Sequence, residues 1–334
     1  MTFTEQVQNK IDNKTKPLGA LGDLEAIAKQ LCLIQNTLSP EICEPHVVVF
    51  AGDHGIAKEG VSAYPQDVTW QMVMNFVSGG AAINVFCRQH ELSLLVVDAG
   101  VNYEFPVDLP ILSRKIARGT HSFSTQSAMS ATQLEQALET GKKVVQGLAE
   151  AGCNLVGFGE MGIGNTASAS MIISQLTGLP LSELTGRGTG LNDQQLAHKL
   201  AILQKAQALH GQVKTPLEVL RTFGGFEIAQ MVGAMQEAAK RNMLILVDGF
   251  IASAAYLIAY EMDSTIAGSA IFCHLSHEQG HQKLLDYLSV QPLLGMNLRL
   301  GEGSGCALAF PLIKSAALFM NEMASFTDAG VSKA

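Results

Sequence analysis

A carboxylate set among glycines is the first place in this sequence where chemistry is expected. In Leu300-Gly301-Glu302-Gly303-Ser304-Gly305 the glutamate sits at the mouth of an apolar run, Cys306 to Leu312, that reads as the start of a buried helix. Glycine on either side lets the backbone come close to a ligand and adopt positive φ. Apolar walls make a carboxyl group hold its proton to higher pH, and a general base works best when its proton affinity lies near the working pH. The plainer use of such a residue is as an anion near a helix N-terminus. A second candidate, Glu160, lies in Gly159-Glu160-Met161-Gly162-Ile163-Gly164-Asn165-Thr166, directly after the apolar run Cys153 to Phe158. Strand, glycine turn and helix start together make an anion site, because free N–H groups and the helix dipole converge there. Another glycine turn, Gly186-Arg187-Gly188-Thr189-Gly190, precedes a helix carrying Lys199. That lysine either lies on the solvated surface or faces the first turn as a point charge for a phosphate.

Two sharper patterns compete with this reading. His277-Glu278-Gln279-Gly280-His281 fits the H-E-x-x-H string of zinc peptidases, with His274 and Glu302 available as further ligands. It requires both histidines on one face of a helix, which Gly280 weakens by about 1 kcal/mol relative to Ala. Gly157-Phe158-Gly159-Glu160-Met161-Gly162 fits the dinucleotide string G-x-G-x-x-G. Its first glycines fall within or at the end of the strand, however, and no acid about twenty residues on closes a second strand to take a ribose. The turn suits a single phosphate better. The inventory is then two carboxylates, two glycine turns and a lysine, which fits a phosphate monoester beside an apolar reacting partner.

These residues need a rigid frame. The chain has 334 residues, 47% of them hydrophobic and 16% charged, enough for a large core. A net charge of −8 without a long basic cluster excludes a nucleic-acid footprint. Six scattered cysteines without a CxxC pattern read as reduced buried thiols in a cytoplasmic protein. No signal peptide and no apolar run of membrane-spanning length is expected. Short apolar runs at His46–Phe50, Leu92–Val97, Cys153–Phe158, Met243–Val247 and Ala270–Cys273 alternate with helical stretches, and Lys115–Arg118 adds a candidate short strand. Several runs end in an acid and a glycine: Gly52-Asp53-His54-Gly55, Asp98-Ala99-Gly100 and Asp248-Gly249. This pattern predicts an α/β fold with a doubly wound, mostly parallel sheet, its ligand at the carboxyl ends of the strands. The first and last helices lie outside the alternation. They are expected to form a small helical subdomain, residues 1–40 and 304–334, beside a Rossmann-like catalytic domain, 41–303.

Six motifs in order carry a resemblance over about residues 16–320: Lys16-Pro17-Leu18-Gly19-Ala20-Leu21-Gly22, Ala51-Gly52-Asp53-His54-Gly55, Gly159 to Thr166, Gly224-Gly225-Phe226-Glu227, Val247-Asp248-Gly249-Phe250 and Arg299 to Gly305. Together they resemble the nicotinate-nucleotide:dimethylbenzimidazole phosphoribosyltransferases, which prepare the lower ligand of cobalamin. The resemblance implies a homodimer with no metal and no cofactor. It implies that Gly162, Gly164 and Asn165, with Gly188 and Lys199, hold the 5′-phosphate of nicotinate mononucleotide. The aromatic base, dimethylbenzimidazole or a relative, is expected against Tyr64, Met72, Met161 and Leu300. Glu302 is expected to be the general base and Glu160 its support or a ribose contact. Tyr64 and Met72 stand where the family pattern carries a Ser and a Gln, which leaves the base open between dimethylbenzimidazole, a phenol and adenine. A zinc peptidase and a non-catalytic binder of nucleotides or benzimidazoles are the alternatives.

Overall fold

The computed structural model describes residues 1–213 and 215–332. In chain order it contains α1 (Phe3–Asp12), α2 (Asp23–Gln35), β1 (His46–Gly52), α3 (Val68–Val77), α4 (Ala82–His90), β2 (Ser93–Gly100), β3 (Leu112–Ser113), α5 (Ala131–Glu150), β4 (Leu155–Met161) and α6 (Asn165–Thr177). Then follow α7 (Leu181–Leu184), α8 (Asp193–His210), α9 (Pro216–Phe223), α10 (Phe226–Lys240), β5 (Leu244–Val247), α11 (Phe250–Met262), β6 (Ala270–Phe272), β7 (His274–Ser276), α12 (His281–Leu288), β8 (Leu294–Leu298), α13 (Ser304–Glu322) and α14 (Phe326–Ala329).

Six strands form one parallel sheet in the order β3-β2-β1-β4-β5-β6. Strands buried on both faces read as continuous apolar runs, which is why Val47 to Ala51 shows no polar alternation. The two-residue period still divides the side chains between two cores. Val48 and Phe50 of β1 join Val156 and Phe158 of β4 in a cluster with α5, α6, α10 and α11. Val47, Val49 and Ala51 join a second cluster with α2, α4 and α13 on the other face. The sheet is therefore doubly wound, as the alternation of elements predicts. Strand order reverses between β1 and β4, and their carboxyl ends open at that switch point.

The chain ends meet. Lys14 pairs with Ser325, the Phe326 N–H donates to Asn13 O, and Asn321 Nδ2 donates to Pro40 O. Val7 and Ile11 of α1, Ile27 and Leu31 of α2 and Phe310 and Ile313 of α13 share one apolar cluster with β1. Lys333 and Ala334, the end of the expected terminal unit, lie outside the described residues. By length and composition α13 could cross a membrane, against expectation, yet Cys306, Ala307, Phe310, Ile313 and Ala316 are buried in the core. The thiols are free, and Cys43 is exposed rather than buried.

Two elements differ from the pattern. The edge strand is Leu112–Ser113, not Lys115–Arg118, because it is the Arg114 and Ile116 N–H groups that continue the bonding to Asp98 O and Ala99 O without forming a ladder. A second, two-stranded parallel sheet pairs β7 with β8, His274 with Leu294 and Ser276 with Leu298. Its strands are short and β8 is mostly exposed, so no apolar run announces it.

Glycine inside a helix normally costs about 0.5–1 kcal/mol relative to alanine. Here α5 and α10 touch backbone to backbone: a Cβ at Gly141 would lie 1.9 Å from Gln230 O, and one at Gly233 would lie 2.0 Å from Leu138 O. Gly233→Ala should therefore destabilise the protein by about 1–3 kcal/mol through overpacking, against its helix propensity. Thermal melts of the variant decide this, since propensity alone would raise Tm.

Candidate active site

The site begins with a close approach of two backbones. Strand β4 carries Gly157 and Gly159, and the start of α13 lies directly on them. A Cβ on Gly159 would sit 2.3 Å from Gly303 N and 2.4 Å from Glu302 C; one on Gly157 would sit 2.8 Å from Cys306 Cβ. These are the strand glycines of the G-x-G-x-x-G string, and they serve helix packing. Asp248, after β5, fastens the turn: its Oδ2 accepts from Gly303 N at 3.1 Å and its Oδ1 from Gly305 N at 2.6 Å. The turn carries Glu302 at φ 63°, between Gly301 at 79° and Gly303 at 78°. A non-glycine residue in that region is uncommon and marks a position fixed by its surroundings. Glu302 is 4% exposed and its Oε2 has no hydrogen-bond partner among the described residues. Burial first, and then the charge of Asp248, push its carboxyl up to about 7.

Glu160, near the end of β4, is also buried. Asn165 Nδ2 donates to its Oε2, and its Oε1 points at Gly301, where a Cβ would lie 2.4 Å away. Burial, then the charges of Asp248, Glu227 and Glu302, hold the Glu160 carboxyl well above the usual range. Among the described residues no three His, Cys, Asp or Glu side chains are arranged to hold a metal ion.

From Glu160 the chain turns through Gly162 and Gly164 into α6. The Ile163 N–H donates to Thr69 Oγ1 at 3.1 Å, and the backbone at Gly162 passes so close to Gly52 O that a Cβ would lie 2.3 Å from it. Behind this turn stands a buried chain of contacts: Ser168 Oγ to His54 Nδ1 at 2.9 Å, and His54 Nε2 to Glu227 Oε1 at 2.5 Å. Thr166, in the first turn of α6, meets the second glycine turn. Lys199, fully buried, donates to Thr166 Oγ1 at 2.9 Å and to Gly186 O at 3.2 Å, and a Cβ on Gly188 would lie 3.1 Å from the same threonine oxygen. Burial lowers the Lys199 ammonium to about 8, opposed by the charge of Glu278. The lysine faces the first glycine turn, not solvent.

One cleft of about 750 Å³, open mouth included, joins these parts. Glu160, Met161, Gly162, Gly164, Asn165, Gly188 and Leu300 all line it, and Lys199 and Glu302 lie directly behind Gly188 and Gly301. Tyr64 and Met72 do not line it: Tyr64 is 53% exposed on the loop before α3, and Met72 packs half-buried on the second apolar cluster. Thr166, Asp248, Ser276 and Arg299 line the cleft without having been singled out as site residues, and so do His274 and Glu278, which the sequence offered only for the peptidase string. The acid–glycine ending at Asp248-Gly249 was the available signal, and it matched those at Asp53 and Asp98. The peptidase string fails on geometry. His277 to Gly280 are not helical, and His281, the first residue of α12, accepts from Ser276 N at 2.8 Å and contacts Ser253 Oγ at 3.0 Å.

Fold and site together define a doubly wound α/β enzyme with its cleft where the strand order reverses. A family profile described as Phosphoribosyltransferase matches residues 1–331. The nicotinate-nucleotide–dimethylbenzimidazole phosphoribosyltransferase of Aromatoleum aromaticum is 55% identical over 98% of this chain and 96% of its own. That of Dechloromonas aromatica is 55% identical over 98% and 94%. The crystal structure of CobT from Thermus thermophilus superposes with a TM-score of 0.95 at 39% identity, covering 99% of both chains. The chain belongs to this phosphoribosyltransferase family, and it is the family that the six motifs resemble.

The raised carboxyl at Glu302 has a consequence for stability. An acid whose folded-state proton affinity exceeds the unfolded value of 4.5 stabilises the fold below that value, and the contribution is lost as pH rises to about 7. Glu302→Gln removes the penalty. The variant should gain stability over the wild type at pH above about 7, by roughly 1–3 kcal/mol, and gain little at pH near 4. Denaturant melts at the two pH values test this; an equal gain at both would contradict it.

Proposed function

We propose that the protein transfers the 5-phosphoribosyl group of nicotinate mononucleotide to 5,6-dimethylbenzimidazole or a related aromatic base, giving α-ribazole 5′-phosphate and nicotinate. The observation that carries this reading is Glu302: a buried carboxyl with a proton affinity near neutrality, behind a cleft wall opposite a glycine cradle backed by a lysine. The cradle of Gly162, Gly164, Asn165 and Gly188, backed by Lys199, takes the phosphate, because a helix N-terminus and an ammonium both favour an anion. The base lies against Met161 and Leu300, while Tyr64 and Met72, expected there from the resemblance, stand outside the cleft lining. Glu302 takes the N–H proton of the base while the other ring nitrogen forms a bond to C1′. The C1′–N bond to nicotinate breaks on the opposite face, and its electron pair neutralises the pyridinium ring. A single displacement inverts C1′, so a β-nucleotide gives an α-product. Glu160, holding Asn165 and facing Gly301, keeps the two halves of the site in register.

The reading includes a cytoplasmic homodimer; the six free thiols fit a reducing compartment. It also keeps residues 1–40 and 304–334 as one helical unit, supported by the contacts between the chain ends.

The direct test is incubation with nicotinate mononucleotide and a panel of benzimidazoles, phenols and adenine, following free nicotinate. Base-dependent release supports the transfer; saturable binding with no release would leave a binder instead. In that assay Glu302→Gln should turn over at least about 10²-fold more slowly with nucleotide binding retained, as loss of a general base requires. Turnover near the wild-type rate would remove Glu302 from the role. Lys199→Ala should weaken nucleotide binding roughly tenfold or more and leave the affinity for the free base alone. Calorimetry with each ligand separates the two, and unchanged nucleotide affinity would move the phosphate elsewhere.

A further inference from the structure

One pair of buried groups on the cleft wall is not used by the displacement just described. His274, the first residue of β7, is 2% exposed, lines the cleft and places Nε2 3.5 Å from Asp248 Oδ1. Asp248 is the side chain that fastens the Glu302 turn through Gly303 N and Gly305 N. The three parts are in direct contact: a Cβ on Gly305 would lie 2.0 Å from His274 Cδ2 and 2.7 Å from Asp248 Oδ1. Only glycine at 305 lets the ring reach the aspartate.

We propose that His274 is a positioning residue for the general base: through Asp248 it sets the charge against which Glu302 gains and loses its proton. The inference rests on the reading of Glu302 as that base. The charges around the pair support it. Asp248 faces His274 from the end of β5 and raises the proton affinity of both Glu302 and Glu160. The thiols of Cys273 and Cys306 stand nearby, and Cys306 is held protonated by burial first and then by Cys273.

From α12 the ring of His281 lies 6.4 Å away. His281 supplies no positive charge, because its Nδ1 accepts the Ser276 N–H and burial, then the charge of His274, push it down to about 3. Burial also works against charge on His274, but the hydrogen bond and charge of Asp248 outweigh it and raise His274 above its ordinary value. The imidazole in contact with Asp248 is thus the one of the two whose proton affinity is raised. An imidazolium there cancels part of the aspartate's field. Without it, the whole negative charge bears on Glu302, which then holds its proton to higher pH.

A base must be deprotonated to act, so losing that cation should move the acid limb of turnover upward. His274→Gln and His274→Asn are each compared with the wild type for nicotinate release under saturating substrates across the pH range. The acid limb is expected to rise by about half a pH unit or more, so that the ratio of turnover above pH 8 to turnover near pH 6 grows about threefold. A purely structural role would lower turnover at every pH and leave the ratio unchanged. An unchanged or smaller ratio in a folded variant overturns the proposal.

Should both variants fail to fold, nitrogen-15 chemical shifts of histidine in the wild-type enzyme decide it. A cationic His274 ring near pH 7 supports the assignment, and a neutral one overturns it. Glu302→Gln separates this inference from the reading beneath it. Wild-type turnover there removes the base itself, whereas lost turnover together with an unmoved limb in the His274 variants removes only His274.

Discussion

Everything at this site depends on how closely the first turn of α13 lies on β4. A methyl group on Gly159 would run into Gly303 N, one on Gly303 would run into Val47 Cγ1 at 2.6 Å, and Gly157 makes the same allowance for Cys306. That contact brings a helix start onto the middle of the sheet instead of its edge. It carries Glu302 to the switch point, where β1 and β4 part and the glycine cradle begins. Asp248 then replaces the intrahelical partners that the first N–H groups of any helix lack. Each of its oxygens takes one of them, so the same carboxylate both caps the helix and stands beside the glutamate.

The consequence is electrostatic. Four acids, Glu160, Glu227, Asp248 and Glu302, share a small region with little water, and each ionised neighbour makes the next harder to ionise. Such an arrangement costs stability, and the surrounding packing must supply it. Two of the acids are in contact with a histidine ring, Glu227 with His54 and Asp248 with His274. Neither Glu160 nor Glu302 has a cation of its own among the described residues. Both have raised proton affinity; Glu160 lines the cleft, and Glu302 lies behind Gly301 at the β4–α13 contact.

The sheet was legible in the sequence because its strands are short apolar runs with acid–glycine endings, and burial on both faces makes such runs hard to mistake. Glu302 and the Gly162 to Asn165 turn were legible because glycines flank a polar residue where a strand or helix must begin. Asp248 carried the same kind of signal, yet its role depends on a helix some fifty residues later, which spacing along the chain does not reveal. His274 was offered for the wrong chemistry, as a further ligand of a peptidase string, and only the fold shows that His277 to Gly280 are not helical. The β7–β8 ladder was missed because its strands are short and β8, though Leu294, Met296 and Leu298 alternate along it, is mostly exposed instead of forming a continuous buried run. Tyr64 and Met72 came from the family resemblance, not from any local pattern, and they lie outside the cleft lining.

The two halves of the cleft are built on opposite principles, and that difference explains their placement. The anion cradle needs backbone N–H groups and a cation, so it uses a helix start, two glycine turns and Lys199, held by hydrogen bonds to Thr69 Oγ1, Thr166 Oγ1 and Gly186 O. The base half needs a carboxylate that is poorly solvated, so its Oε2 is left without a donor among the described residues and its neighbours are acids. A lysine placed beside Glu302 would have paired with it and lowered its proton affinity, defeating a general base. Lys199 is kept on the far side of Thr166 and Gly188, where the acid acting on it is Glu278 and not either of the raised carboxyls. A parallel sheet makes this separation easy, because successive strands deliver their carboxyl ends side by side. Acids can then be gathered at β4 and β5 while the cation arrives from α8, behind the second glycine turn.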